Sequence, residues 1–222
     1  MLGTIVNAVA ICAGTLLGVF LRSGIPNKYK ETSVTALGLA IVLIGLKGAW
    51  ETNNSLILIA ALVLGGIIGE ALRIEDRLQR FGQKAEQYLG KSGNVGEAFV
   101  TATLVYCVGA MAIMGSLQSG LTGNHETLFA KSLLDGISSI FFASTLGIGV
   151  ALSALSVFLY QGAITLGAKW LSVLISGPMI SEMNAVGGIL VVAIGLNILE
   201  GKKTRVGNLL PAILVAALLA YF

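Results

Sequence analysis

The chain has 222 residues, 55% of them hydrophobic and only 11% charged, with 29 glycines and a net charge of +3; its mean hydropathy is +0.89. Soluble domains average about 25% charged residues, so this balance excludes a water-soluble globular protein and points to a lipid bilayer as the chain's principal partner. The positive charges sit in a few loops without interleaved aromatics, which excludes a nucleic-acid surface and reads as a topology signal.

Apolar runs of about 17–25 residues are the units to count. The first, residues 2–21, has no basic segment before it and reads as a span, not a cleaved signal. A polar link with Pro26 separates it from the second, 34–50, and the third covers 56–72. That third run continues into a charged stretch in which Ile74, Leu78, Phe81, Ala85 and Tyr88 recur at helical spacing, predicting an amphipathic surface helix over 73–91. A fourth span covers 99–117. Residues 132–175 are too long for one crossing and carry only two formal charges, Asp135 and Lys169, so we read two crossings with a bend near 147–153. Spans at 185–199 and 209–222 complete an all-α polytopic membrane protein of about eight transmembrane helices in a single integral domain, 1–222; seven helices plus a re-entrant segment is the alternative.

Charge bias favours the even count. With eight spans Arg22, Lys28, Lys30, Arg73, Arg77, Arg80, Lys84, Lys91, Lys202, Lys203 and Arg205 share one side, against Lys47, Lys131 and Lys169 on the other. The positive-inside rule then puts both termini outside and residues 73–96 in the cytoplasm. An internal repeat at an offset of about 150 points the same way. Gly38 aligns with Gly188, Val42 with Val192, and Ile44, Gly45 and Leu46 with Ile194, Gly195 and Leu196, while Asn54 and Asn208 each open the next span. Under eight spans the repeat is inverted, spans 1–3 against 6–8 around spans 4–5, an arrangement used by secondary transporters.

Polar residues inside such a chain are costly, so they mark the candidate site. Asp135 is the one acid well inside an apolar run. It lies four residues after Lys131, and three after Ser132 with the spacing of a capping box, so a first-turn acid at a helix start competes with an intramembrane binding residue. Ser138, Ser139 and Thr145 follow on one face, with Ser116, Gln118 and Gln161 nearby in the central spans. Asn7 occupies the place in the first span that Gln161 occupies in the sixth, so the two amides face each other or glue neighbouring helices. Gly109, Gly115, Gly136, Gly147 and Gly149 are candidate helix breaks. Gly14 with Gly18 and Gly65 with Gly69 have small-xxx-small spacing, which predicts close packing and a candidate homodimer face. His125 has no second His or Cys at ligand spacing, so neither a metal nor another cofactor is expected.

The strings CVGAMAIMGSLQSGL, KSLLDG, STLGIGV and NLLP resemble the bacterial YqgA/YdfK family of multi-pass inner-membrane proteins, a group carried as a domain of unknown function. The resemblance covers essentially the whole chain and implies a bacterial plasma-membrane protein. Its pattern has Pro at the position of Ala110 and Thr at that of Ala112; this chain departs there, which leaves Gly109 to make the break. A transporter or channel for a small solute or ion fits the polar residues, and a non-transporting scaffold docking through residues 73–90 is the alternative. An enzyme is not expected, because no span holds a His, a Ser–Lys pair or paired carboxylates, and no nucleotide motif is present. No Arg lies within a span, which disfavours a strongly anionic substrate.

Overall fold

The computed structural model describes residues 1–22, 27–77, 80, 95–107, 109–200 and 204–221, and among these it is all helical, without strands. The helices are α1 (Leu2–Arg22), α2 (Asn27–Ala49), α3 (Ser55–Leu72), α4 (Val95–Cys107), α5 (Ala110–Leu121), α6 (Glu126–Leu146), α7 (Ser153–Leu166), α8 (Ala168–Leu174), α9 (Gly177–Glu200) and α10 (Pro211–Leu219). Short 3-10 turns precede α7 and α10, at Ile148–Leu152 and Val206–Leu209. The amphipathic helix expected over 73–91 falls mostly outside the described residues. α3 itself stops cleanly at Leu72, because Arg73 takes a left-handed conformation (φ 50°) that caps it.

The outer faces are apolar. Leu16, Phe20, Leu56, Val63, Ile67, Leu133 and Leu214 are exposed, and Tyr29, Trp50 and Trp170 stand exposed near helix ends, where the headgroups of a bilayer favour amphipathic rings. A surface of this kind is stable against lipid and not against water. By length and composition four helical stretches among the described residues can cross a bilayer: Leu2–Leu21, Ser55–Leu72, Ile148–Leu166 and Gly177–Leu199. The pair α4 and α5, inclined by 60°, makes a fifth if taken as one bent span. The count falls below the expected eight because Val34–Ala49 and Val206–Leu219 are shorter apolar helices, and because α6 carries Lys131 and Asp135 in its middle.

The single domain expected over 1–222 resolves into two compact units. The first comprises residues 1–33 and 81–174, the second 34–80 and 175–222. In the first unit α1 and α6 run parallel, with Gly3 against Leu128, Gly14 against Gly136 and Ser139, and Gly18 against Ile140 and Ala143. In the second unit Gly65 meets Ala212 and Gly69 meets Asn208, so α3 and α10 run antiparallel with their backbones close. All four glycines named for a candidate homodimer face pack against other helices of the same chain.

The contact between α2 and α9 mirrors itself. A methyl added to Gly45 would lie 2.5 Å from Val192 N, 2.6 Å from Gly188 O and 2.8 Å from Val192 Cγ2. One added to Gly195 would lie 2.6 Å from Val42 Cγ2, 2.9 Å from Gly38 O and 2.9 Å from Val42 N. Gly38 faces Leu199 and Ile198, and Gly188 faces Ala49 and Gly48. Each partner in one set is the partner in the other displaced by 150 positions, so each helix presents to the other what the other presents to it. That is the geometry of an isologous, two-fold contact.

The helix breaks divide by mechanism. Gly109 (φ 141°) and Gly147 (φ 93°) adopt backbone conformations that side chains oppose, and they separate α4 from α5 and α6 from the turn that follows. Gly149 lies in that turn, where the backbone of Val95 leaves no room for a Cβ. Gly115 and Gly136, expected as breaks, lie inside α5 and α6 instead. They are small for packing: Gly115 admits the side chains of Leu128 and Thr127, and Gly136 admits Ala10.

Candidate functional site

The first unit gathers its polar side chains at one place. α6 begins at Glu126, so Lys131 and Asp135 lie well inside it, and the first-turn acid is Glu126. Two expectations fall with this: Asp135 is not a capping residue, and Gly136 after it does not end the helix. Lys131 also leaves the set of loop charges, being 6% exposed. The spacing of four puts the two side chains on one face, and Lys131 Nζ stands 2.6 Å from Asp135 Oδ2 with both side chains 8% exposed. A buried carboxylate needs its remaining lone pairs satisfied, and Asn7 Nδ2 of α1 donates to the same oxygen at 3.0 Å. The Asn7 nitrogen also lies 3.4 Å from Gln161 Oε1 of α7. The parallel packing of α1 on α6 places Asn7 level with Asp135.

Below this knot the Asp135 carbonyl accepts from Ser139 Oγ at 2.7 Å. The Ser139 proton is thereby used, so Tyr106 of α4 donates to Ser139 Oγ across 2.8 Å. Tyr106 is fully buried, its ring 5.8 Å from that of Phe142 and nearly parallel to it. Four helices therefore converge: α1 with Asn7, α4 with Tyr106, α6 with Lys131, Asp135 and Ser139, and α7 with Gln161.

Of the residues singled out in the sequence, Asn7, Asp135, Ser139 and Gln161 are joined by these hydrogen bonds. Ser116 is fully buried, and its Oγ has no partner. The others stand apart. Ser138 bonds back to the Leu134 and Asp135 carbonyls and Thr145 to that of Phe141, as helical hydroxyls commonly do. Gln118 is exposed, and its Oε1 accepts from Thr127 at 2.9 Å, tying α5 to α6 beside their connecting loop. His125 is half-buried before α6 with Nδ1 2.9 Å from Ser119 Oγ.

Sequence reasoning missed Tyr106, which reads as one more apolar residue in its run, and also Thr4 and Thr165. Thr4 lies three residues before Asn7 and Thr165 four after Gln161, so helical spacing was the signal available. It also missed a polar node in the second unit. Glu182, 2% exposed near the start of α9, accepts from Thr52 Oγ1 at 2.7 Å and from the backbone of Asn53 and Asn54 at 2.7 and 3.0 Å. Asn54 in turn caps α3 through Leu56 N. Asn208, just before α10, donates to Glu70 at 2.5 Å and accepts from Glu75 N at 2.8 Å. Glu182 thus ties the loop before α3 to α9, and Glu70 ties the end of α3 to the turn before α10.

Comparison with known proteins places this arrangement among relatives. The family model described as "Protein of unknown function (DUF554)" matches residues 2–221. The uncharacterized membrane protein YdfK of Bacillus subtilis (strain 168) is 35% identical over 219 residues, covering 97% of this chain and 93% of that protein. The uncharacterized protein YqgA of Escherichia coli (strain K12) is 30% identical over 222 residues, covering 97% and 94%. No solved structure matches the chain.

Proposed function

The chain belongs to the DUF554 family, and we propose that it is a transporter or channel for a small solute or ion, working in a bacterial plasma membrane and not as an enzyme. The observation that carries this reading is the buried Lys131–Asp135 pair, hydrogen-bonded to Asn7 of a second helix and through that amide to Gln161 of a third, inside a chain whose outer faces suit lipid. Ionisable groups at such positions are expensive, and membrane proteins keep them chiefly along substrate or ion pathways. Glycine breaks at Gly109 and Gly147 lie in the same unit, and interrupted helices are a common way of exposing backbone groups to a solute.

The proposal includes eight crossings, with the shorter apolar helices and α6 counted as spans, both termini outside and residues 73–96 cytoplasmic. With Lys131 withdrawn into α6 the charge bias strengthens, since only Lys47 and Lys169 oppose the eleven basic residues of the other side. The mirrored contact of α2 and α9 supports an inverted repeat in the second unit.

Reconstitution tests the function. Proteoliposomes carrying the wild-type chain should move at least one solute from a panel of ions and small neutral molecules faster than protein-free vesicles, and Asp135→Asn should abolish that flux. Rates equal to those of empty vesicles across the whole panel would refute transport and leave the scaffold reading.

A further inference from the structure

The charge in the site is cancelled within it, so what the knot leaves unpaired decides what it can hold. A carboxylate only accepts hydrogen bonds, so Asp135 fixes Asn7 with its amide nitrogen inward and its Oδ1 turned away. The same nitrogen faces Gln161 Oε1, which leaves Gln161 Nε2 turned away in its turn. Asn7 Oδ1 and Gln161 Nε2 are both without partners, although both residues are fully buried. An amide acceptor and an amide donor are thus held ready by a relay that begins at a charge.

Five hydroxyl oxygens share this condition, on Thr4, Thr15, Thr103, Ser116 and Thr165, and three of them belong with these amides. Thr4, Ser116 and Thr165 are buried and their oxygens unpartnered. Thr4 is on the Asn7 face of α1 and Thr165 on the Gln161 face of α7, by their spacing of three and four. Ser116 adjoins Gly115, which meets the Leu128 side chain, and Leu128 also meets Gly3 beside Thr4. Buried polar atoms in native proteins are nearly always matched by protein, water or ligand. Five of them, on Thr4, Asn7, Ser116, Gln161 and Thr165, are carried by three helices, α1, α5 and α7, that pack on one another, and they form the candidate site.

We infer that these atoms bind an uncharged small solute bearing hydroxyl or amide groups. This rests on the transport reading and names its substrate class. None of the five is a charge: Gln161 Nε2 turns a donor toward any cation, and no cationic side chain is left over to hold an anion. Each hydroxyl both donates and accepts, and the two amide atoms supply one of each, which matches polyol or urea-like chemistry.

The test uses proteoliposomes of the full chain in stopped-flow light scattering, with glycerol, urea, potassium chloride and sodium glutamate as separate osmolytes. Glycerol or urea should equilibrate faster than in protein-free vesicles. Gln161→Leu or Ser116→Ala should reduce that rate by about tenfold, the factor expected when one such hydrogen bond is lost. Ser116→Ala, which removes only an unpartnered hydroxyl, keeps the test open if Gln161→Leu fails to fold. Flux of the salts alone would overturn the neutral class and leave transport standing. A rise in water permeability alone would overturn it in favour of a water path. No acceleration of any osmolyte would remove both.

Discussion

Lys131→Met isolates the energetics of the knot. Lys131 Nζ and Asp135 Oδ2 are 2.6 Å apart and nearly enclosed. At an effective dielectric constant near 20 their attraction is about 6 kcal/mol, while removing two ions from water costs several kcal/mol each. Attraction and desolvation therefore roughly cancel, and the pair matters because each charge makes the other tolerable. Removing the lysine strands a buried carboxylate and should destabilise the fold by about 3–5 kcal/mol. The double variant Lys131→Met/Asp135→Leu removes both charges and should recover most of that loss, less about 1–3 kcal/mol for the Asn7 amide deprived of its acceptor. The measurement is unfolding in mixed micelles with rising dodecyl sulfate, followed by helical circular dichroism. A single variant as stable as wild type, or a double variant as unstable as the single, would refute the reasoning.

Other consequences follow from the same geometry. Gly45→Ala and Gly195→Ala each press a methyl into a mirrored environment, so each should cost about 1–3 kcal/mol and the two should agree within about 0.5 kcal/mol in the same unfolding assay. Gly147→Ala forces a side chain into a conformation essentially reserved for glycine and should lower stability by about 1–3 kcal/mol, seen as a reduced melting temperature. Tyr106→Phe removes one donor while keeping the ring on Phe142, and should cost only about 0.5–1.5 kcal/mol by the same measurement, because Ser139 keeps its bond to the Asp135 carbonyl.

The residues differ in how plainly the sequence spoke for them. The membrane class and the helical fold follow from composition and from run lengths, which act over the whole chain. The pairing of Asn7 with Gln161 was visible as two amides at matched places in two spans, because amides are rare enough in hydrocarbon to stand out. Asp135 was visible but misplaced. Ser132 three residues before it imitates a capping box, and the charges at Glu126 and Lys131 imitate a loop, whereas the helix runs through both and turns Lys131 inward. Gly115 and Gly136 could not be told from Gly109 and Gly147 by type, since a glycine that admits a neighbour and one that takes a positive φ look alike until the neighbour is seen. Tyr106 was hidden because its ring satisfies the apolar pattern while only its hydroxyl serves the site.

The crossing of α2 and α9 has a mechanical meaning. Where two helices touch through glycine, backbone lies against backbone with the side chains of Val42, Val192, Ile198 and Leu199 fitted around it, so turning or sliding either helix means repacking them or separating the pair. The second unit is in that sense a close-packed joint, while the positive-φ glycines among the described residues, Gly109, Gly123 and Gly147, all lie in the first. Gly109 and Gly147 are places where the helices of that unit break.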